Sequence, residues 1–267
     1  TSFNSDGFST GTEGGINLDA KKFVAWTWDA GTSAATASTD GSITPSAQWV
    51  NATAGFSISK WTVPGSGSVH TIGHGLSAKP ELIIMKVIDD TYKWDIYHKS
   101  IGAEDRLLFE GAAAEDKTGP WNDTEPTNTV FSTQGSDNWY VTGDVAITYC
   151  WTAIPGFSAF GSFTGNGAAQ GPFNYTGFRP KWVLIKDSDS GGWWVLHDTA
   201  RNPYNVSDNT LYPNENDDED TLYKIDIVSN GFLTRDAGSN IQYFNGNGNK
   251  IVWAAFAEHP FKTARAR

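Results

Sequence analysis

One strand is written three times in this chain. "IVWAAFAEHPF" near the carboxy terminus matches "VAITYCWTAIPGF", which ends at Phe157, and "KKFVAWTWDAG", which ends at Gly31. Repetition of this kind constrains a fold more than composition does, because each copy must be one supersecondary unit that packs against its neighbours. Other segments repeat in the same order. "GFSISKWT" from Gly55 aligns with "GFSAFGSF" from Gly156, and "KPELIIMK" from Lys79 with "RPKWVLIK" from Arg179. Trp94 and His98 align with Trp193 and His197, and Phe131 aligns with Phe232, all at offsets of 99 to 101 residues. Four anchors in register mark a tandem duplication, with module one over 55–155 and module two over 156–267, the latter ending in a basic tail. "SDGFSTGT" around Phe8 copies "SNGFLTRD" around Phe232, so residues 1–31 read as the closing hairpin of an upstream partial repeat. Residues 32–54, rich in Ser, Thr and Ala, read as a linker able to run extended across a neighbouring subunit.

The repeated strands alternate as half-buried strands do, with Val24, Trp26 and Trp28 on one face and Ile147, Tyr149 and Trp151 on its counterpart. In the third copy Val252, Ala254 and Phe256 take that face and Trp253 the other. "ELIIMKV" and "KWVLIKD" are apolar on both faces, as central strands are. No segment reads as a convincing helix. Short strands at 8–12-residue spacing and turns rich in Gly, Asn and Asp predict an all-β fold of tandem antiparallel β-sandwich (jelly-roll-like) modules.

A net charge of −11 repels nucleic acid and anionic lipid over most of the surface. No apolar run is long enough to cross a bilayer, so no membrane insertion is expected. Thr1 is not an initiator Met, and no signal-peptide pattern opens the chain. The single Cys150 lies in a repeated strand, which suits an inert core thiol and leaves no intrachain disulfide.

Aromatic side chains in polar loops are candidate carbohydrate platforms, because sugar C–H faces stack on rings while polar neighbours hold the hydroxyls. Trp121 with Asn122 and Asp123, Trp139, and in module two Tyr204, Tyr212 and Tyr243 fit this description. The same aromatics on strands are simply core. The acidic stretches 110–126 and 213–221 occupy equivalent places in the two modules. In the second, Asp217, Asp218 and Asp220, with Glu219 between them, are hard oxygen donors that suit Ca²⁺. No EF-hand spacing accompanies them, and a solvated acidic loop accounts for them more simply. His70 and His74 are four residues apart but have no third ligand nearby in sequence, so they read as turn or core histidines. No catalytic constellation emerges. "GFSAF" misses the nucleophile elbow at its last position, and the adjacent His197 and Asp198 point to opposite faces of a strand. A non-enzymatic protein without a resident cofactor is expected.

The segments "IGHGLSAKPELIIMK", "WDIYHKSIG", "WNDTEPTNTVFS", "YTGFRPKWVLIK", "HDTARNPYN" and "FAEHPFKTARAR" together resemble the carboxy-terminal repeat region of tail-fibre and tail-spike-like structural proteins of phages infecting aquatic bacteria and cyanobacteria. The likeness spans about residues 16–267, and "PNENDDED" departs from it by its acidity. It implies an extracellular virion tail appendage, a homo-oligomer (trimeric in such fibres) joined to other tail proteins. Host attachment through a surface glycan or protein would be its role. A polysaccharide depolymerase and a purely architectural appendage module are the alternatives. The basic end "KTARAR" would pair with acidic loops of a neighbouring subunit.

Overall fold

The computed structural model describes residues 2–4, 7–12, 14–31, 36–65, 68–110, 119–134, 140–235 and 241–258. The chain is all-β, and every pairing between its strands there is antiparallel. At the amino end β1 (Ser2–Asn4) and β2 (Gly7–Ser9) form a small hairpin, followed by a single helical turn, α1 (Gly14–Asn17). Module one contributes β3 (Ala47–Asn51), β4 (Phe56–Thr62), β5 (Val69–Gly73), β6 (Leu82–Val87), β7 (Asp95–His98), β8 (Leu107–Leu108), β9 (Val130–Gln134) and β10 (Val145–Trp151). Module two contributes β11 (Ser158–Thr164), β12 (Gln170–Tyr175), β13 (Pro180–Asp187), β14 (Val195–Asp198), β15 (Ile225–Val228), β16 (Gly231–Arg235) and β17 (Lys250–Ala257).

The duplication is visible in the topology. The large sheet of module one runs β3-β4-β10-β6-β7-β8 and that of module two β11-β17-β13-β14, so the closing strand lies between β4 and β6 in the first and between the equivalent β11 and β13 in the second. The small sheets, β5-β9 and β12-β16-β15, also correspond. Gly55 and Gly156 open the two modules in the same left-handed conformation, at φ of 65° and 77°. A side chain at Gly55 would place its Cβ 2.5 Å from the Thr152 carbonyl oxygen, so glycine serves that close approach as well as the dihedral.

Both faces of each large sheet are buried, which explains their doubly apolar strands. Trp61, Ile83, Met85 and Cys150 point into the core of module one, and Val183, Ile185, Trp253 and Ala255 into that of module two. The opposite faces meet in a third core, where Phe56, Leu82 and Trp151 join Leu184, Ala254 and Phe256. The modules therefore stack back to back through their large sheets. Two buried hydrogen bonds cross the seam, from Trp194 Nε1 to the Leu108 carbonyl at 2.9 Å and between His98 Nε2 and the Trp253 carbonyl at 3.1 Å.

Three expectations change. The copied segment 21–31 forms no strand. A strand requires neighbours for its N–H and C=O groups, and among the described residues no strand pairs with this segment, although the Asn51 amide of β3 donates to its Asp29 carbonyl. Instead Trp28 inserts between the modules, its ring 6.2 Å from Trp151, 5.5 Å from Trp182 and 5.3 Å from Phe256. The three equivalent residues of the repeated strand, Trp28, Trp151 and Phe256, thus converge on one spot.

Residues 38–54 are part of module one rather than a free linker. Ile43 is buried and makes a parallel bridge to Ile72, β3 pairs with β4, and the buried Gln48 amide donates to Ser59 Oγ and the Gly73 carbonyl.

The structural counterpart of His98 is Asp198, not His197. Leu82 pairs with His98, as Trp182 pairs with Asp198. Both side chains accept the backbone N–H two residues on, His98 Nδ1 from Ser100 and Asp198 Oδ1 from Ala200. Matching the two histidine letters slips this strand by one residue, and a one-residue slip exchanges its faces.

Candidate functional site

The loop residues singled out from the sequence separate sharply. Trp121 is 2% exposed and packs between Tyr97 and Phe131 in the core of module one. Tyr212 is 4% exposed, packs on Tyr223 and donates its hydroxyl to Asp220. Neither can stack on a ligand. Their polar sequence neighbours are turn residues wrapped around a buried anchor, which sequence cannot distinguish from an exposed platform. Asn122 and Asp123 hold left-handed conformations, φ 53° and 45°, and Thr124 N–H closes the turn on the Trp121 carbonyl. Asn and Asp suit that conformation for backbone reasons. Trp139 lies outside the described residues. Tyr243 is half-buried in a short 3₁₀ turn, Ile241–Tyr243. Among the described candidate aromatics only Tyr204 stands well out into solvent, at 82%.

The acidic stretches do occupy matching places. Glu110 accepts the N–H of Trp94 and Asn214 accepts that of Trp194. Asp217 and Asp218 are exposed, but Asp220 is committed to Tyr212 and to the Leu222 N–H. Glu219 pairs with Arg201, which also holds Asp198 at 2.6 Å. Arg201 of the "ARNPYN" motif therefore fastens the acidic loop to the end of β14. Among the described residues no three His, Cys, Asp or Glu side chains converge as a metal site. His74 is buried in a turn, accepting the Leu76 N–H and facing the Thr127 carbonyl, and His70 lies on β5 opposite Thr133. His197, fully buried, faces the module-two core beside Phe244, away from Asp198. Its pKa is pushed down to about 3, by burial first and then by Arg201.

A surface that sequence reasoning missed lies on the outer face of the small sheet of module two. Phe173 and Tyr175 on β12 are 51% and 68% exposed. Across the sheet Phe173 faces Leu233, which faces Asp226, and Tyr175 faces Gly231, which faces Val228. The next segment joins this sheet through the Ser207–Ile225 bridge and the Asn205 side chain, which meets both backbone groups of Ile227. It carries the exposed Val206 and Tyr204. Gly231 shapes the surface. A Cβ there would lie 2.9 Å from Phe173 Cε2, so the absence of a side chain lets the ring lie across the neighbouring strand with its other face to solvent. At the end of the row Arg235 Nε holds Asp226 at 2.6 Å while its NH1 donates to the Gln170 amide oxygen at 3.0 Å.

Among the described residues module one has no such surface. By register Thr71 and Gly73 stand where Phe173 and Tyr175 do. Thr71 is bonded to Ser42, and a Cβ on Gly73 would collide with Ser38 Oγ at 2.2 Å. The segment 38–43 covers in module one what module two leaves open. The alternation of "GPFNYTGF" was the available signal, but it shows only that two aromatics share a face, not that the face is bare.

A concavity of about 530 Å³ lies under residues 24–29 where the modules meet. Trp28, Trp182, Phe256 and Phe157 wall it, and Asp29 and Lys181 stand among its polar residues. Its Asp198 is already held by Arg201.

Fold and surface together define a duplicated, all-β module pair with an exposed aromatic face on module two. The chain belongs to the family described as a domain of unknown function, DUF7483, whose profile matches residues 1–260. No curated protein and no solved structure matches it.

Proposed function

We propose that this chain is a non-enzymatic structural module of an extracellular virion appendage of the tail-fibre type, serving attachment to a host-surface glycan or protein. The observation that carries the reading is the aromatic face of Phe173, Tyr175 and Tyr204, present on one copy of the duplicated module and covered on the other. Copies that differ in this way have kept one scaffold and varied its surface, as expected where binding groups sit on a rigid frame. The shared core supports the rigidity that such a role requires. Exposed Phe8, Ile16, Leu18, Phe23 and Val24 near the amino end support contact with a further repeat or subunit, in keeping with a homo-oligomer assembled with other tail proteins.

The test is binding of the purified chain to cells and to a glycan array, with and without chelator, while new reducing ends are measured. Saturable binding that Phe173→Ala and Tyr175→Ala abolish, with no sugar released, is the expected result. Released reducing ends would make the protein a depolymerase, and chelator-sensitive binding would bring calcium and the Asp217–Asp220 loop into the mechanism. Absence of binding to any cell or glycan would leave an architectural module.

A further inference from the structure

The charges around the aromatic face restrict what it can hold. Among the described residues Arg235, Lys224, Asp226 and Asp208 border it, two cations and two carboxylates. They interleave: Arg235 pairs with Asp226, the Arg235 N–H meets the Lys224 carbonyl, and Asp208 follows Ser207, which bridges to Ile225 beside Lys224. Asp208 Oδ1 also accepts the Asn202 amide at 2.8 Å. These described side chains carry no net charge together, in a chain whose net charge is −11. A polyanion would find Arg235 already paired with Asp226 and would be repelled by the net charge of the chain. A polycation would be drawn to other, more acidic parts of the chain. What remains complementary is an uncharged ligand with flat apolar faces and a dense edge of hydroxyls.

We infer that this face takes a neutral polysaccharide, its pyranose rings stacked on Phe173 and Tyr175 and its hydroxyls bonded by Arg235, Asp226 and Gln170. The inference rests on the attachment reading and adds the ligand class to it. Arg235 and Asp226 hold each other's planar groups in place, so a hydroxyl pair meets a donor and an acceptor that are already ordered. Gln170, fixed by the Arg235 guanidinium, extends that edge. The exposed Tyr204 lies on the segment that joins the same sheet beside β15.

The experiment is affinity electrophoresis of the intact chain through a neutral β-glucan, a mannan and a galactan, beside alginate and a sulfated galactan, at low and high salt. Retardation by at least one neutral polymer, unchanged by salt and reduced about tenfold or more by Tyr175→Ala, is expected. Arg235→Gln, which keeps a planar donor but breaks charge balance, should weaken neutral binding less than Arg235→Ala. Urea midpoints of each variant separate lost binding from lost folding. Retardation confined to the acidic polymers and abolished by salt, retention in the Phe173→Ala/Tyr175→Ala double variant, or no retardation by any neutral polymer would each overturn the inference. Whole-cell binding run in parallel separates the two readings. Cells bound through this face while neutral polymers fail would leave attachment standing and remove only the ligand class, whereas unbound cells would remove both.

Discussion

Phe256→Ala probes the seam between the modules directly. Phe256 lies at the end of the closing strand of module two, 7% exposed, with Trp28, Trp182, Phe157 and Phe160 around it at centroid distances of 5.3 to 6.0 Å. Truncation removes a ring from a site walled by four others. Trp182 stands on β13, which is paired on both sides, and Phe160 on β11, which is paired to β17 itself, so the space cannot fully collapse, and the loss should fall in the usual range of about 3–5 kcal/mol for a buried Phe→Ala. With a urea m-value of about 3 kcal/mol/M for a chain of this size, the midpoint should drop by about 1–1.7 M. Because the third core belongs to both modules, the transition followed by tryptophan fluorescence should stay single and move as a whole. Phe23→Ala, an exposed position on the segment leading to Trp28, should change stability by less than about 0.5 kcal/mol. A Phe256→Ala midpoint within about 0.3 M of wild type would refute the shared core, by the same conversion. So would a split transition in which module one melts unchanged.

Three further outcomes follow from buried polar groups. Burial holds the His98 pKa down to about 4, so the folded state keeps the neutral imidazole that donates to the Trp253 carbonyl. Its contribution is complete above the ordinary value near 6.5 and is lost as pH falls toward 4, at a cost of about 3 kcal/mol. His197 is held down to about 3 and acts in the same direction, so urea midpoints should decline through this window and His98→Gln should flatten the decline. Trp194→Phe keeps the stack on Phe109 but strips the Leu108 carbonyl of its donor, and should cost about 1–3 kcal/mol in the same assay. Arg106→Met leaves the buried Asp95 with only the Tyr140 hydroxyl as a named partner, and should cost about 3–5 kcal/mol at neutral pH; a loss below about 1 kcal/mol would show that Asp95 is not charged there.

Much of the fold was legible because periodicity and repetition are local. The alternation of Tyr149 and Trp151 against Cys150 correctly separated two faces, and the double apolarity of "LIIMKV" correctly marked a central strand. Residues whose role depends on a partner distant in sequence were not legible. Trp121 and Tyr204 both sit in polar, turn-rich stretches, yet one is a core anchor and the other stands in water, because only the first has Tyr97 and Phe131 on either side. The one-residue slip between His98 and His197 was invisible for the same reason, since apolar flanks accept either register and only hydrogen bonding to the next strand selects one.

By itself the sequence determined an all-β chain, its repeated core strands and a net charge of −11, since these depend on residue type and spacing. Tertiary structure alone decided that residues 21–31 wedge a tryptophan between modules, that residues 38–54 complete module one, and which aromatic face stays open. Each of those outcomes turns on whether a neighbouring backbone or side chain already fills the adjacent space, as Ser38 does beside Gly73 and nothing described does beside Tyr175. Occupancy of that kind is a property of the packed chain, and no local pattern carries it.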